Sequence, residues 1–296
     1  MNKYDVLVVG GGAAGMAAAL SAKEAGAKKV LICEREPSPG GILRQCIHNG
    51  FGLGYFHEDL TGTEYAHRFI SRLENSETEF RGDTTVLEIR PDRTALISSF
   101  GCVEEIAFDK CLLATGCRER AIGSLPVSGT RPAGVFSAGT AQKMVNLMGL
   151  DVGRRIVILG SGDIGMIMAR RFSILGKEVV AMVEKEACLG GLVRNVQNCI
   201  EAYNIPVLTR STVTKIHGRA RVEAVTVRDL LSGEEQTIPC DTLIVSVGLI
   251  PERELVDGFE ELPSWLALCG NCEKVYEIVD SVTVQSEKTA REILSD

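Results

Sequence analysis

A chain of 296 residues, 45% apolar and 24% charged, is long enough for two domains with cores of their own and too apolar to be disordered. Its net charge of −7 gives no electrostatic attraction for nucleic acid or an anionic membrane, so neither is an expected partner. Ten cysteines in a chain this large, with no basic, apolar and cleavage-site sequence before the first strand, are expected as reduced thiols in a cytoplasmic protein.

The first predicted strand, "DVLVV", runs into Gly10-x-Gly12-x-x-Gly15 and then a stretch expected to be an amphipathic helix, with Ala13 and Ala14 in its first turn. In a strand–turn–helix context the first glycine permits the tight turn, the second admits a pyrophosphate and the third lets helix and strand pack closely. The helix N-terminus adds free N–H groups and a partial positive charge. The apolar run from Val6 to Leu20 is too short and too rich in glycine to span a bilayer, so no membrane insertion is expected. The second strand, "KVLICE", ends at Glu34, 24 residues after Gly10, where a carboxylate accepts hydrogen bonds from an adenosine ribose.

"EREPSPGGILR" follows, placing Arg35, Gly40, Gly41 and Ile42 beside the same candidate site. Cys46 and His48 come next and are the nearest approach to a catalytic pair, since an imidazole can help to hold a thiolate. The plainer reading is preferred: Cys46 as a small buried residue and His48 as a turn residue before Asn49-Gly50. "TTVLEIRPDRTALISSF" reads as short β segments, and "FDKCLLATG" as a buried strand ending at Ala114, Thr115 and Gly116.

The chain then repeats itself. "RIVILGSGDIGMIMARR" supplies Gly160, Gly162 and Gly165, with Asp163 and Ile164 in the new helix's first turn. "VVAMVE" ends at Glu184, again 24 residues after the first glycine and 150 after Glu34, and "EKEACLGGLVR" repeats the Gly-Gly-x-x-Arg pattern. "VEAVTVRDLLSGEEQTI" gives β segments with a turn at Ser232-Gly233, and "CDTLIVSVG" ends at Gly248. Two glycine fingerprints, each with its strand, helix and acidic residue, predict an α/β chain of two Rossmann-like three-layer dinucleotide-binding domains. The last segment, "IVDSVTVQSEKTAREIL", reads as a helix capped by Asp280 or Ser281. Without a second Cys-x-x-Cys beside Cys269-x-x-Cys272, no metal is expected.

This ordered set of motifs resembles the pyridine nucleotide–disulfide oxidoreductase superfamily in its small, thioredoxin-reductase-like form. The resemblance implies FAD in the first module and NAD(P)H in the second, with the NAD module inserted in the FAD module. It implies an FAD-binding domain of residues 1–120 and 249–296 and an NAD(P)-binding domain of residues 121–248. "LALCGNC" looks like the third flavin motif, with Gly270 and Asn271 where the family usually has Gly-Asp. The segment around Cys46 would lie beside the isoalloxazine. "GGILRQCIHNGFGLGYF" and "ATGCRER" are similar to a branch related to the large subunits of opine oxidases, hydrogen cyanide synthase and dye-linked proline dehydrogenase.

The resemblance implies that such chains often work as one subunit of a dehydrogenase complex, with a partner dehydrogenase subunit, and that the superfamily is commonly homodimeric. The segment from Glu252 to Leu268 is shorter than in relatives, and the family's redox dithiol is missing. The expected function is therefore an FAD-dependent oxidoreductase passing electrons between NAD(H), flavin and a small-molecule acceptor or partner subunit. An acidic Glu184 at the ribose favours NADH over NADPH. A relay subunit without independent activity, or a degenerate adenine-nucleotide-binding protein, are the alternatives.

Overall fold

The computed structural model describes residues 2–295. The chain forms two compact units, Met1–Arg118 with Ile250–Asp296, and Glu119–Leu249. The first unit is thus built from two stretches of sequence, and the second is inserted between them.

In the first unit, strands Glu79–Arg81, Val30–Cys33, Asn2–Val9 and Cys102–Leu113 lie side by side and parallel. The long strand Cys102–Leu113 serves two neighbours along its other edge. Its first half pairs antiparallel with Thr94–Ser99, which in turn pairs with Thr84–Ile89. Its last residues pair parallel with Leu266–Leu268, which returns from the far end of the sequence. Alternation along Asn2–Val9 sends Val6 and Val8 to the helical face, and Leu7 and Val9 to the face covered by the antiparallel strands and Trp265. Because both faces are covered, the strand reads as a continuous apolar run.

Helices Ala13–Glu24, Gly62–Glu74 and Val279–Ser295 form the helical layer. The first is not amphipathic as the sequence suggested. Every residue from Ala14 to Ala22 is buried, because the sheet takes one side and helix Val279–Ser295 packs along the other. Small alanine side chains allow that double contact. The last helix begins at Val279, so Asp280 and Ser281 lie inside its first turn and do not precede it as caps.

The second unit repeats the plan. Strands Val135–Ser137, Thr242–Val245, Arg155–Leu159, Glu178–Val183 and Val207–Leu208 form a parallel sheet. Helices Ala138–Asn146 and Asp163–Ile174 cover one face, and an antiparallel sheet containing Ser211–His217, Ala224–Asp229 and Glu235–Pro239 covers the other. The turn predicted at Ser232-Gly233 joins the last two strands, with Gly233 at φ 75°. Both units are three-layer α/β structures with their parallel strands at the centre.

Candidate dinucleotide-binding sites

In each unit the first strand delivers the chain into a glycine turn at its carboxyl end, where the following helix starts. Gly10 (φ 107°) and Gly160 (φ 99°) take backbone conformations that side chains disfavour, and a Cβ there would stand 2.5 Å from the Ala114 carbonyl oxygen and 2.1 Å from that of Ser246. A Cβ on Gly15 would lie 1.8 Å from the Gly10 oxygen, so the helix rests directly on the turn. Gly12 and Gly162 differ from these. Each is the N-cap of its helix without a side-chain cap, and around their missing Cβ nothing lies closer than 4.0 Å. An uncapped helix N-terminus beside open space is the cradle that a pyrophosphate requires.

Glu34 and Glu184 are both almost fully buried at the ends of their strands. The Gly11 N–H donates to Glu34 Oε2 at 2.6 Å, and the Glu36 N–H to Oε1 at 2.9 Å. In the second unit the Ser161 N–H donates to Glu184 Oε2 at 2.9 Å, and the Glu186 N–H to Oε1 at 2.9 Å. Each carboxylate is therefore tied across the turn it serves, within reach of the helix N-terminus.

The repeated Gly-Gly now has a physical reason. After each strand the chain doubles back over the glycine turn. The Gly40 N–H donates to the Gly11 carbonyl at 2.8 Å, and a Cβ on Gly41 would lie 2.9 Å from the Gly12 Cα. In the second unit side chains hold the returning loop. The Gly190 N–H donates to Ser161 Oγ at 2.9 Å, while Asp163 Oδ1 accepts from the Leu192 N–H at 2.8 Å and from Asn195 Nδ2 at 2.7 Å. Space at Gly191 is closed by Met166 Cε, 2.1 Å from its missing Cβ, and by the same Asp163 oxygen at 2.5 Å. Arg35 and Ile42 are exposed, and Ile164 is half-buried in its helix.

The third motif meets the first. Gly270 (φ 65°) passes so close that a Cβ there would lie 2.7 Å from the Ala14 Cβ. Its N–H donates to Gln285 Oε1 of the last helix at 2.7 Å. Asn271 accepts from the Tyr276 N–H at 3.0 Å through Oδ1, and its Nδ2 lies 3.7 Å from Cys117 Sγ. Thr115 donates its hydroxyl to the Glu252 carbonyl at 2.6 Å, which ties the end of strand Cys102–Leu113 to the returning chain. Gly116 and Gly248, at the carboxyl ends of the matching strands, have open space around them.

Two side chains hold these sites in ways that the sequence did not signal. Ser161 stands where the first unit has Gly11, and the serine was hidden inside the glycine fingerprint. Asp280 is nearly buried and accepts from the Gly52 N–H at 3.1 Å and the Gly54 N–H at 2.7 Å, fastening the loop after Cys46 to the last helix. No local pattern reveals that contact, because its partners are 226 and 228 positions away.

Cys46 is buried against the start of helix Gly62–Glu74, and its thiol donates to the Ile42 carbonyl at 3.3 Å. Burial pushes this thiol up to about 12, so at neutral pH it is protonated. His48 has Nδ1 3.0 Å from the Asn49 carbonyl and its ring 5.1 Å from that of Phe51. Cys269 and Cys272 are fully buried free thiols, both pushed up by burial, and Cys272 donates to the Leu113 carbonyl at 2.9 Å. Among the described residues no group of His, Cys, Asp or Glu is placed to hold a metal ion, and no helix is long and apolar enough to cross a membrane.

Residues 4–263 match the model of the pyridine nucleotide-disulphide oxidoreductases. The chain belongs to that family. It is 26% identical over 280 residues to an opine oxidase subunit of Agrobacterium tumefaciens, an alignment covering 85% of this chain and 54% of the relative. Hydrogen cyanide synthase subunit HcnB of Pseudomonas protegens is 24% identical, with 84% of this chain and 57% of that one aligned. Thioredoxin reductase of Mycolicibacterium smegmatis is 24% identical over 88% of this chain and 80% of the relative. This family member spans about half the length of the opine oxidase subunits it matches. In fold it is similar to the thioredoxin reductase of T. acidophilum, with a TM-score of 0.79, 24% identity and coverage of 100% and 99% of the two chains. It is likewise similar to the L-proline dehydrogenase of P. horikoshii, with a TM-score of 0.71, 18% identity and coverage of 99% and 55%. The architecture is thus the mixed α/β, parallel-sheet arrangement of two Rossmann-type domains.

Proposed function

We propose that this family member is an FAD-dependent oxidoreductase that exchanges reducing equivalents with NAD(H) and passes them to an acceptor or a partner subunit. FAD is assigned to residues 1–120 with 249–296, and NAD(H) to residues 121–248. The observation that carries the reading is the duplicated site: two uncapped helix N-termini, each with an open second glycine and a buried carboxylate tied across the turn. Only one of the two units carries the third motif, Gly270-Asn271, packed against its first helix, and this supports FAD in that unit.

FAD supplies the chemistry of accepting a hydride and releasing electrons. The residues of the chain bind and orient. The free N–H groups at Gly12 and Ala13 would hold the pyrophosphate, Glu34 the adenosine ribose and the Asn271 amide a hydroxyl of the ribityl chain. Gly160, Gly162, Gly165 and Glu184 repeat these tasks for the nicotinamide nucleotide. The charge of Glu184 would repel a 2′-phosphate, which supports NADH over NADPH. The protonated, buried Cys46 supports a packing role over a nucleophilic one for that residue.

The decisive experiment is the visible spectrum of the purified protein before and after anaerobic NADH. A flavin spectrum that bleaches with NADH, and more slowly with NADPH, is expected; a colourless protein that cannot take up FAD would overturn the reading. The relatives favour a second reading, since the opine oxidase and sarcosine oxidase matches and HcnB are each named as one subunit of an enzyme. In that reading the chain relays electrons and has no activity alone. Bound flavin that NADH leaves oxidised until a partner protein is added would support it.

A further inference from the structure

Glu34 and Glu184 occupy matching positions, but their carboxylates are not equally committed. Glu34 accepts one hydrogen bond on each oxygen, from the Gly11 and Glu36 N–H groups. Glu184 accepts the corresponding pair from Ser161 and Glu186, and a third from the Ser161 hydroxyl at 2.5 Å on Oε2. A carboxylate has roughly four acceptor directions. Glu34 therefore keeps one on each oxygen, whereas Glu184 keeps only one, on Oε1.

The Ser161 hydroxyl is fixed in this role, because its oxygen also accepts the Gly190 N–H at 2.9 Å and the residue is 1% exposed. The first unit, with glycine at the matching position, lacks this hydroxyl, and space there is tight. A Cβ on Gly11 would already lie 3.1 Å from the Phe80 ring and 3.2 Å from the Glu34 Cβ.

We propose that Ser161 is a specificity-determining residue that limits Glu184 to a single ribose hydroxyl, while Glu34 takes both hydroxyls of its own ribose. This rests on the proposed assignment of the second unit as the NAD(H) site. The chemical consequence is a division of labour. The first site grips its nucleotide at two points, as suits a resident group, and the second grips at one, as suits a cosubstrate that must leave each turnover. Ser161 also couples the ribose carboxylate to the loop through Gly190, so both are held in one arrangement.

The test is calorimetric binding of ADP, 2′-deoxy-ADP and 3′-deoxy-ADP to the purified full chain, with FAD in excess to fill the first site. In the unmodified protein one deoxy analogue is expected to bind about tenfold more weakly than ADP, and the other within about twofold. In Ser161→Gly, which copies the residue at Gly11, both analogues are expected to weaken, because Oε2 regains an acceptor direction. Ser161→Ala makes the same prediction if the glycine variant folds poorly. Equal weakening by both analogues in the unmodified protein would overturn the proposal, as would an unchanged pattern in the variants. ADP that fails to bind at all would instead overturn the NAD(H) assignment itself.

Discussion

Gly12 and Gly15 sit three residues apart in one fingerprint and answer to different constraints. A methyl on Gly15 would collide with the Gly10 carbonyl at 1.8 Å, whereas one on Gly12 enters open space at an ordinary negative φ of −76°. Gly15→Ala is therefore expected to abolish folding or lower stability by more than about 3 kcal/mol, as overpacking against rigid backbone does. Gly12→Ala is expected to keep its urea midpoint close to that of the unmodified protein and to lose FAD. Denaturation curves and flavin content of the two variants check this; a Gly12→Ala protein that retains full flavin would show that no pyrophosphate approaches that face. The fingerprint made both glycines legible, since strand, turn and helix impose a fixed spacing. Ser161 was not legible, because its role depends on where the Glu184 oxygens and the Gly190 N–H come together, and the spacing alone does not encode that.

At the scale of single elements, helix Gly62–Glu74 shows how local chemistry sets a boundary. Thr61 accepts the Glu64 N–H at 3.2 Å, and Glu64 accepts the Thr61 N–H at 2.8 Å, a reciprocal capping box. Thr61→Ala is expected to reduce stability by about 1 kcal/mol, read as a lower urea midpoint at unchanged slope. A shift of less than about 0.3 kcal/mol would mean that packing of Tyr65 and Phe69, both wholly buried, fixes the helix start without the cap. Helix Ala13–Glu24 shows the opposite dependence. Its sequence was read as amphipathic, but its faces are decided by a helix from the far end of the chain, and Ser21 donates to the Glu287 carbonyl at 3.1 Å across that contact. No window of local sequence contains that partner.

For the molecule as a whole, buried thiols make stability depend on alkaline pH. Burial pushes Cys33 and Cys46 each up to about 12, while unfolded thiols titrate near their ordinary value, roughly 8.5 to 9. Below about pH 8 the thiols are protonated in both states, so their contribution to stability is fully present. Between about 9 and 12 the unfolded chain releases protons that the native state retains, and stability falls by up to about 1.4 kcal/mol per pH unit for each such thiol. Urea midpoints measured from pH 8 to 11 should drop across that window. A flat profile would mean that these thiols meet solvent in the native protein.

The sequence by itself determined the repeated architecture. Each glycine turn and the acidic strand end it faces are dictated by short-range geometry, since Glu34 and Glu184 each lie 24 residues after the first glycine of their fingerprint, and the apolar runs mark strands covered on both faces. The tertiary structure alone decided how many acceptor directions each carboxylate keeps, what covers the first helix, and how Asp280 fastens the loop at Gly52 and Gly54. These depend on atoms brought together from distant stretches of chain, where direction and burial, not spacing, govern the hydrogen bonds.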